Sequence, residues 1–213
     1  MTRGPHLLSS LGQDCRGAAL VELAMAVPLV LLFLFGILDF GRLYWIETTL
    51  QKAMQIAART AALRPPACAG VPTTVQEAPQ APGQSTPRYG TLCRQGGVCA
   101  DTGDQSCALD TDTATGREIW DRIEFLLPPG AVPANVRVTY SFDERLGFLG
   151  GPYTPVVTAE VVNLDFQFVL PLGALAALAA NDATLSATSF NRISLPSMST
   201  SLPGEDLASG IAN

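Results

Sequence analysis

Residues 17–38 read GAALVELAMAVPLVLLFLFGIL, a run of apolar residues interrupted by one charge, Glu22. At 1.5 Å per residue a helix of this length spans about 33 Å, matching the roughly 30 Å hydrocarbon core of a bilayer. A cleaved secretory signal has a shorter apolar region followed by small residues, whereas here Asp39, Gly41, Arg42, Tyr44 and Trp45 follow directly. The run therefore reads as a retained membrane-spanning helix, with the aromatic pair suited to the interface. Pro28 is expected to kink it, and Gly36 and Gly41 to weaken it locally.

Toward the C-terminus the sequence continues as DFGRLYWIETTLQKAMQIAARTAALRPP, residues 39–66. Leu43, Ile46, Leu50, Met54, Ala57 and Ala61 recur at helical spacing, while Arg42, Glu47, Gln51, Gln55 and Arg59 occupy other positions. This pattern predicts an amphipathic continuation of the same helix, packed along one stripe against a globular part. Pro65-Pro66 should end it.

The chain has 213 residues, 47% of them apolar, enough for one ordinary domain plus an anchor. Acidic residues outnumber basic ones by 19 to 13 and the basic ones are scattered, which argues against a nucleic-acid partner. The segment from Pro65 to Pro87 is crowded with prolines and lacks apolar periodicity, so it reads as a linker or long loop. Of five cysteines, Cys15 precedes the apolar run, and Cys68, Cys93, Cys99 and Cys107 follow it. An even set of four on an extracytoplasmic side can close two disulfides, in any of three connectivities. Zinc is the competing reading, but the CxxC pairs of a tetrahedral thiolate site are missing. Arg3 and Arg16 before the run and Arg42 and Lys52 after it leave the positive-inside rule undecided. The cysteine split and the Pro- and Thr-rich downstream region place the C-terminal part outside the cytoplasm.

Glu22 is the anomaly, since an unpaired carboxylate inside an apolar span costs ~2.5 kcal/mol or more. One reading has it snorkel to the headgroups, being only a turn or so from Arg16. The other starts from the order Arg16-Gly17-Ala18-Ala19-Leu20-Val21-Glu22: a basic residue, a glycine, then an apolar run with glutamate at its fifth position. This resembles a prepilin peptidase site. The resemblance implies cleavage after Gly17, Ala18 as the new N-terminus, and Glu22 pairing with the N-terminal amine of a neighbouring subunit. Such a pair neutralises both charges in low dielectric, and a subunit added in the wrong register leaves both unmatched.

A wider set of residues resembles the TadE-like family of the tight-adherence pilus system. It comprises Gly17, Ala19, Glu22, Ala24, Pro28, a Leu/Phe-rich stretch, Gly36, Asp39, Phe40, Gly41, Arg42, then Leu50, Ala53, Ala57, Ala58, Arg59 and Ala61. It covers about a quarter of the chain, and GxxxxE combined with P-x7-G-x2-DFGR is more specific than either part alone. Leu23 departs from the aromatic that often follows the glutamate in pilins of this system. The resemblance implies a minor pilin or pseudopilin in the inner membrane, its C-terminal part periplasmic or extracellular, active in pilus initiation or at the tip. It further implies a prepilin peptidase, sibling minor pilins, the major pilin, the inner-membrane assembly platform and membrane lipid as partners. The fold it implies is pilin-like α+β, a long helix under a small antiparallel sheet.

Beyond the loop, residues 93–112 read as a Gly- and Asp-rich disulfide loop. Asp110, Asp112 and Asp121 do not make a calcium loop, because Ala114 and Thr115 stand where a ligand and the turn glycine belong. Thr115-Gly116-Arg117-Glu118 matches a capping box, with Ile119, Trp120, Ile123, Leu126 and Leu127 as the apolar face of a helix ended by Pro128-Pro129. Val136, Val138, Tyr140 and Phe142 alternate with polar residues as one strand, and a second is expected over 156–170, with Val162, Leu164, Phe166, Phe168 and Leu170 on one side. Residues 147–151 read as a turn, 172–180 as a short helix or turn, and 183–193 as a third strand. The expected division is a leader 1–17, a helix 18–64, a disulfide loop region 65–112, an α+β region 113–195 and a flexible tail 196–213. His6, the only histidine, lies in the leader, and neither GxSxG, HExxH nor a phosphate-binding glycine loop occurs. The sequence thus points away from catalysis, and toward neither cofactor nor metal. The alternative is an unprocessed, single-pass anchored module that binds a surface or partner through the loop from Cys68 to Cys107.

Overall fold

The computed structural model describes residues 16–83, 85–169, 192–205 and 207. Residues 1–15, with Cys15 and most of the expected leader, lie outside them, as do the expected 172–180 helix and residues 183–191 of the expected third strand.

A single helix, α1, runs from Arg16 to Leu63, with Pro28 inside it. Its 48 residues correspond to about 72 Å. It ends two residues before Pro65, as expected from the missing N–H and the steric restriction that proline places on its predecessor. The chain divides into two compact units, one of residues 1–43 with 167–192 and the other of residues 44–166 with 193–213. α1 contributes to both.

In the second unit four strands form an antiparallel sheet: β1 (Gln105–Ala108), β2 (Val136–Ser141), β3 (Val156–Val161) and β6 (Met198–Pro203), in the order β1-β2-β3-β6. The helix α2 (Ala114–Ile123) lies between β1 and β2 in sequence. Val136, Val138 and Tyr140 alternate with outward residues and are fully buried, as are Val157 and Ala159 of β3. Leu50, Ala53, Met54, Ala57, Ala58 and Ala61 of α1 and Ile119 and Ile123 of α2 complete this core. Polar ties join the head to the end of α1 and to the residues just beyond it: the Ala67 N–H donates to the Tyr140 hydroxyl at 3.0 Å, Thr115 Oγ1 to the Pro65 carbonyl at 2.8 Å, and the Glu205 N–H to the Ala62 carbonyl at 3.0 Å. Short strands β4 (Asp165–Gln167) and β5 (Arg192–Ser194) form a separate ladder.

Four sequence expectations need correction. The single strand over 156–170 is two strands, because Asn163 adopts a left-handed φ of 55°. The extra residue shifts the alternation by one, so Val157, Ala159 and Val161 are buried before the break and Leu164 and Phe166 after it. The expected loose tail contains β6, whose six residues pair with β3 from Val156↔Pro203 to Val161↔Met198. Residues 105–108 of the expected loop form β1, an edge strand held by its ladder to β2 and not by an apolar face. Finally, α2 is capped by Thr113, whose Oγ1 accepts from the Gly116 N–H at 3.0 Å, and Thr115 is buried in the first turn. A Cβ at Gly116 would collide with the Asp110 carbonyl oxygen and sit 2.7 Å from Thr113 Oγ1, so only glycine allows this cap.

Candidate functional site: the N-terminal helix and the disulfide region

Gly17 and Ala18 lie in the first turn of α1, and Glu22 follows Ala18 by four residues, about one turn along. The side chains from Ala19 to Phe35 are exposed all round, Glu22 among them. A Cβ at Gly17 would meet nothing within 4 Å. From Ala19 onward the helix is long and apolar enough to cross a membrane, with a mean hydropathy of 2.5 in its most apolar window, none of which is buried within the protein. An apolar helix exposed on every side is suited to lipid and not to water.

At the end of the apolar run the character changes. Asp39 is buried, and its carboxylate pairs with Arg42 Nη1 at 3.1 Å, one turn on. The same carboxylate accepts the Val169 N–H at 3.1 and 3.2 Å, and the rings of Phe40 and Phe168 meet edge to face at 6.2 Å. Sequence reading placed Asp39 only within a motif and missed this role. Its visible signal is an acid directly after an apolar run with arginine at i+3.

The four downstream cysteines close two disulfides, Cys68–Cys107 and Cys93–Cys99, the second nested inside the first. None of the four is left as a thiolate for zinc. In the chain-entropy account the longer loop, with a separation of 39 residues, stabilises by ~4 kcal/mol and the shorter, with 6, by ~2 kcal/mol. The region between them is pinned along its length. The Gly90 N–H donates to the Leu149 carbonyl and the Leu149 N–H to the Thr91 carbonyl, each at 2.9 Å, so 147–151 is a paired segment as well as a turn. Gly150, at φ 77°, lies against the Tyr89 ring, and any side chain there would strike it. Val75, Cys93, Val98, Cys99, Leu149 and Tyr153 are buried.

On the head, Glu118 Oε2 accepts from Arg64 Nε at 2.9 Å and Oε1 from Arg122 Nη2 at 2.6 Å, joining the end of α1 to α2. Arg122 also reaches Thr60 Oγ1 at 3.3 Å. Asp110 Oδ1 accepts the Asp112 N–H at 2.9 Å, which makes this pair a turn before α2. Among the described residues no group of three or more His, Cys, Asp or Glu side chains is placed to hold a metal ion.

These features define an α+β protein whose N-terminal apolar helix, of membrane-anchor type, extends into a small antiparallel, disulfide-stapled head. The family model described as TadE-like protein matches residues 17–59, from the glycine before Ala18 to the part of α1 built into the head. This N-terminal segment, about a fifth of the chain, is therefore similar to TadE-like proteins. No curated protein and no solved structure matches the chain.

Proposed function

We propose that the chain is a minor pilin or pseudopilin that takes part in initiating or tipping a tight-adherence type IV pilus. The observation that carries this reading is the TadE-like match, which begins at Gly17 and includes Glu22 and the whole apolar run. In this reading the chain sits in the bacterial inner membrane with its head on the periplasmic or extracellular side, where the two disulfides persist. A prepilin peptidase cuts between Gly17 and Ala18. The first turn of α1 must open to be cut, and glycine, with the poorest helix propensity after proline, lowers the cost of opening it there.

After the cut, the Ala18 ammonium and the Glu22 carboxylates of adjacent subunits lie in one apolar layer and neutralise each other. Apolar helices leave lipid and bundle in the fibre, an exchange nearly neutral in apolar burial, so the charge pair can select the register. Sibling minor pilins, the major pilin and the inner-membrane assembly platform are the partners. The chain is then a structural subunit and not an enzyme, with no cofactor to bind.

Mass spectrometry of the mature protein is expected to show Ala18 as its first residue. A mature chain retaining residues before Gly17 would favour the unprocessed anchored binding module instead. Glu22→Gln is expected to insert normally and to abolish fibre formation, and normal fibres in that variant would overturn the assembly role.

A further inference from the structure

We propose that Asp39 is a clamp that holds Phe168 and Val169 in the interfacial layer of the bilayer, giving the chain a second lipid contact beside its spanning helix. This rests on the reading of α1 as membrane-spanning. Asp39 is only 3% exposed and stands one residue past the end of the apolar run. A carboxylate at that position needs partners to offset its desolvation, and it has them in the Val169 N–H and in Arg42. The Arg42 side chain is half exposed, suited to headgroups on an apolar stem.

What the clamp draws to the helix is apolar and exposed. Val169 is 69% and Phe40 63% accessible, and the Phe168 ring stands edge-on to Phe40. Beside them is an open recess of about 470 Å³, lined by Leu32, Phe33, Gly36, Ile37, Phe40 and Phe168 together with Asp39. Gly36 leaves space there, since a Cβ would meet nothing within 4 Å. Leu32 to Ile37 belong to the spanning run, so the medium that surrounds the run also fills the recess, and that medium is lipid hydrocarbon. Neither Phe168 nor Val169 has a charged or polar side chain to favour water over lipid.

The test uses the full chain in lipid vesicles, with Trp45 and Trp120 replaced by phenylalanine and one tryptophan introduced as Val169→Trp or Leu29→Trp. Lipids brominated near the top of the acyl chain are expected to quench the Val169→Trp emission most strongly. Lipids brominated near the chain ends are expected to quench Leu29→Trp most strongly. Adding Asp39→Ala removes a charged acceptor, shifts docking at position 169 about tenfold or more toward release, and lowers quenching there. Quenching of Leu29→Trp in that same variant shows that the chain still inserts. Quenching at 29 without quenching at 169 overturns this proposal alone and assigns the recess to water or to another subunit. Quenching at neither position overturns the membrane reading and this proposal with it. Unchanged quenching at 169 in the Asp39→Ala chain overturns the clamp.

Discussion

The two halves of α1 are one uninterrupted helix with opposite relations to their surroundings. Residues 20–38 carry Leu, Val, Phe and Ile on every side, and all of these side chains are exposed. Residues 50–61 hide one stripe completely, Leu50, Ala53, Met54, Ala57, Ala58 and Ala61, and turn Gln51, Gln55 and Arg59 outward. The stripe is mostly alanine, which lets the neighbouring elements approach the helix closely, whereas the first half carries large residues that stay exposed. A helix needs two faces only where it has two environments, and this one becomes amphipathic where the head begins. The sharpest way to break the comparison is to make one substitution in each half. Leu50→Ala is expected to cost ~2–5 kcal/mol in thermal or denaturant unfolding of the head. Leu31→Ala, in the exposed run, is expected to leave that transition in place, and an equal loss there would mean that the first half also packs against protein.

Alkali probes the dry side of the second half. The Tyr140 hydroxyl is buried next to the end of α1, and its pKa lies above the ordinary value because burial disfavours the phenolate, although the Ala67 N–H bond works in the opposite direction. Burial also raises the pKa of Tyr153, opposed by its hydrogen bond with Thr102 and reinforced by the charges of Asp101 and Asp104. Both groups keep their protons in the folded head at a pH where the unfolded chain has begun to lose them. Stability is therefore full below about pH 10 and falls as pH rises past it, by up to 1.36 kcal/mol per pKa unit of difference. A urea series from pH 8 to 11 checks this, and Tyr140→Phe should flatten the decline. A midpoint independent of pH over that range would show that neither tyrosine is shielded from water.

How legible the molecule was in its sequence follows the same division. The apolar run, its amphipathic continuation and the stop at Pro65 were readable because periodicity and proline act locally. β2 was readable because Val136, Val138 and Tyr140 alternate cleanly. The β3–β4 break was not, since Asn163 looks like any polar residue of a strand until its φ is known. β6 was hidden by its serines and prolines. Only Met198 and Leu202 hint at a half-buried face, and the strand exists because β3 offers it a ladder. The TadE-like motif was legible residue by residue, whereas the part of Asp39 in holding Val169 was not. That contact joins residues 130 apart, and a separation of that kind leaves no pattern in either segment.

The smallest expected effect compares one exchange, glutamate to glutamine, in the two environments. Glu118 is shared by Arg64 and Arg122, but all three side chains are substantially exposed, from 30% for the glutamate to 50% for Arg122. Water and salt screen such pairs, so Glu118→Gln is expected to cost no more than ~1 kcal/mol in head stability. The loss should shrink as ionic strength rises to 1 M, where the screening length falls to about 3 Å. Fibre assembly should proceed as before. Glu22→Gln should behave in the opposite way: the head unfolds unchanged, because Glu22 is exposed and belongs to the other unit, and assembly fails. A carboxylate between two arginines in water is easily replaced, whereas one in an apolar layer becomes decisive in the proposed assembly, where another subunit brings it a charge. If Glu118→Gln proved the more damaging to assembly, the decisive electrostatics would lie in the head and not in the membrane half of the helix.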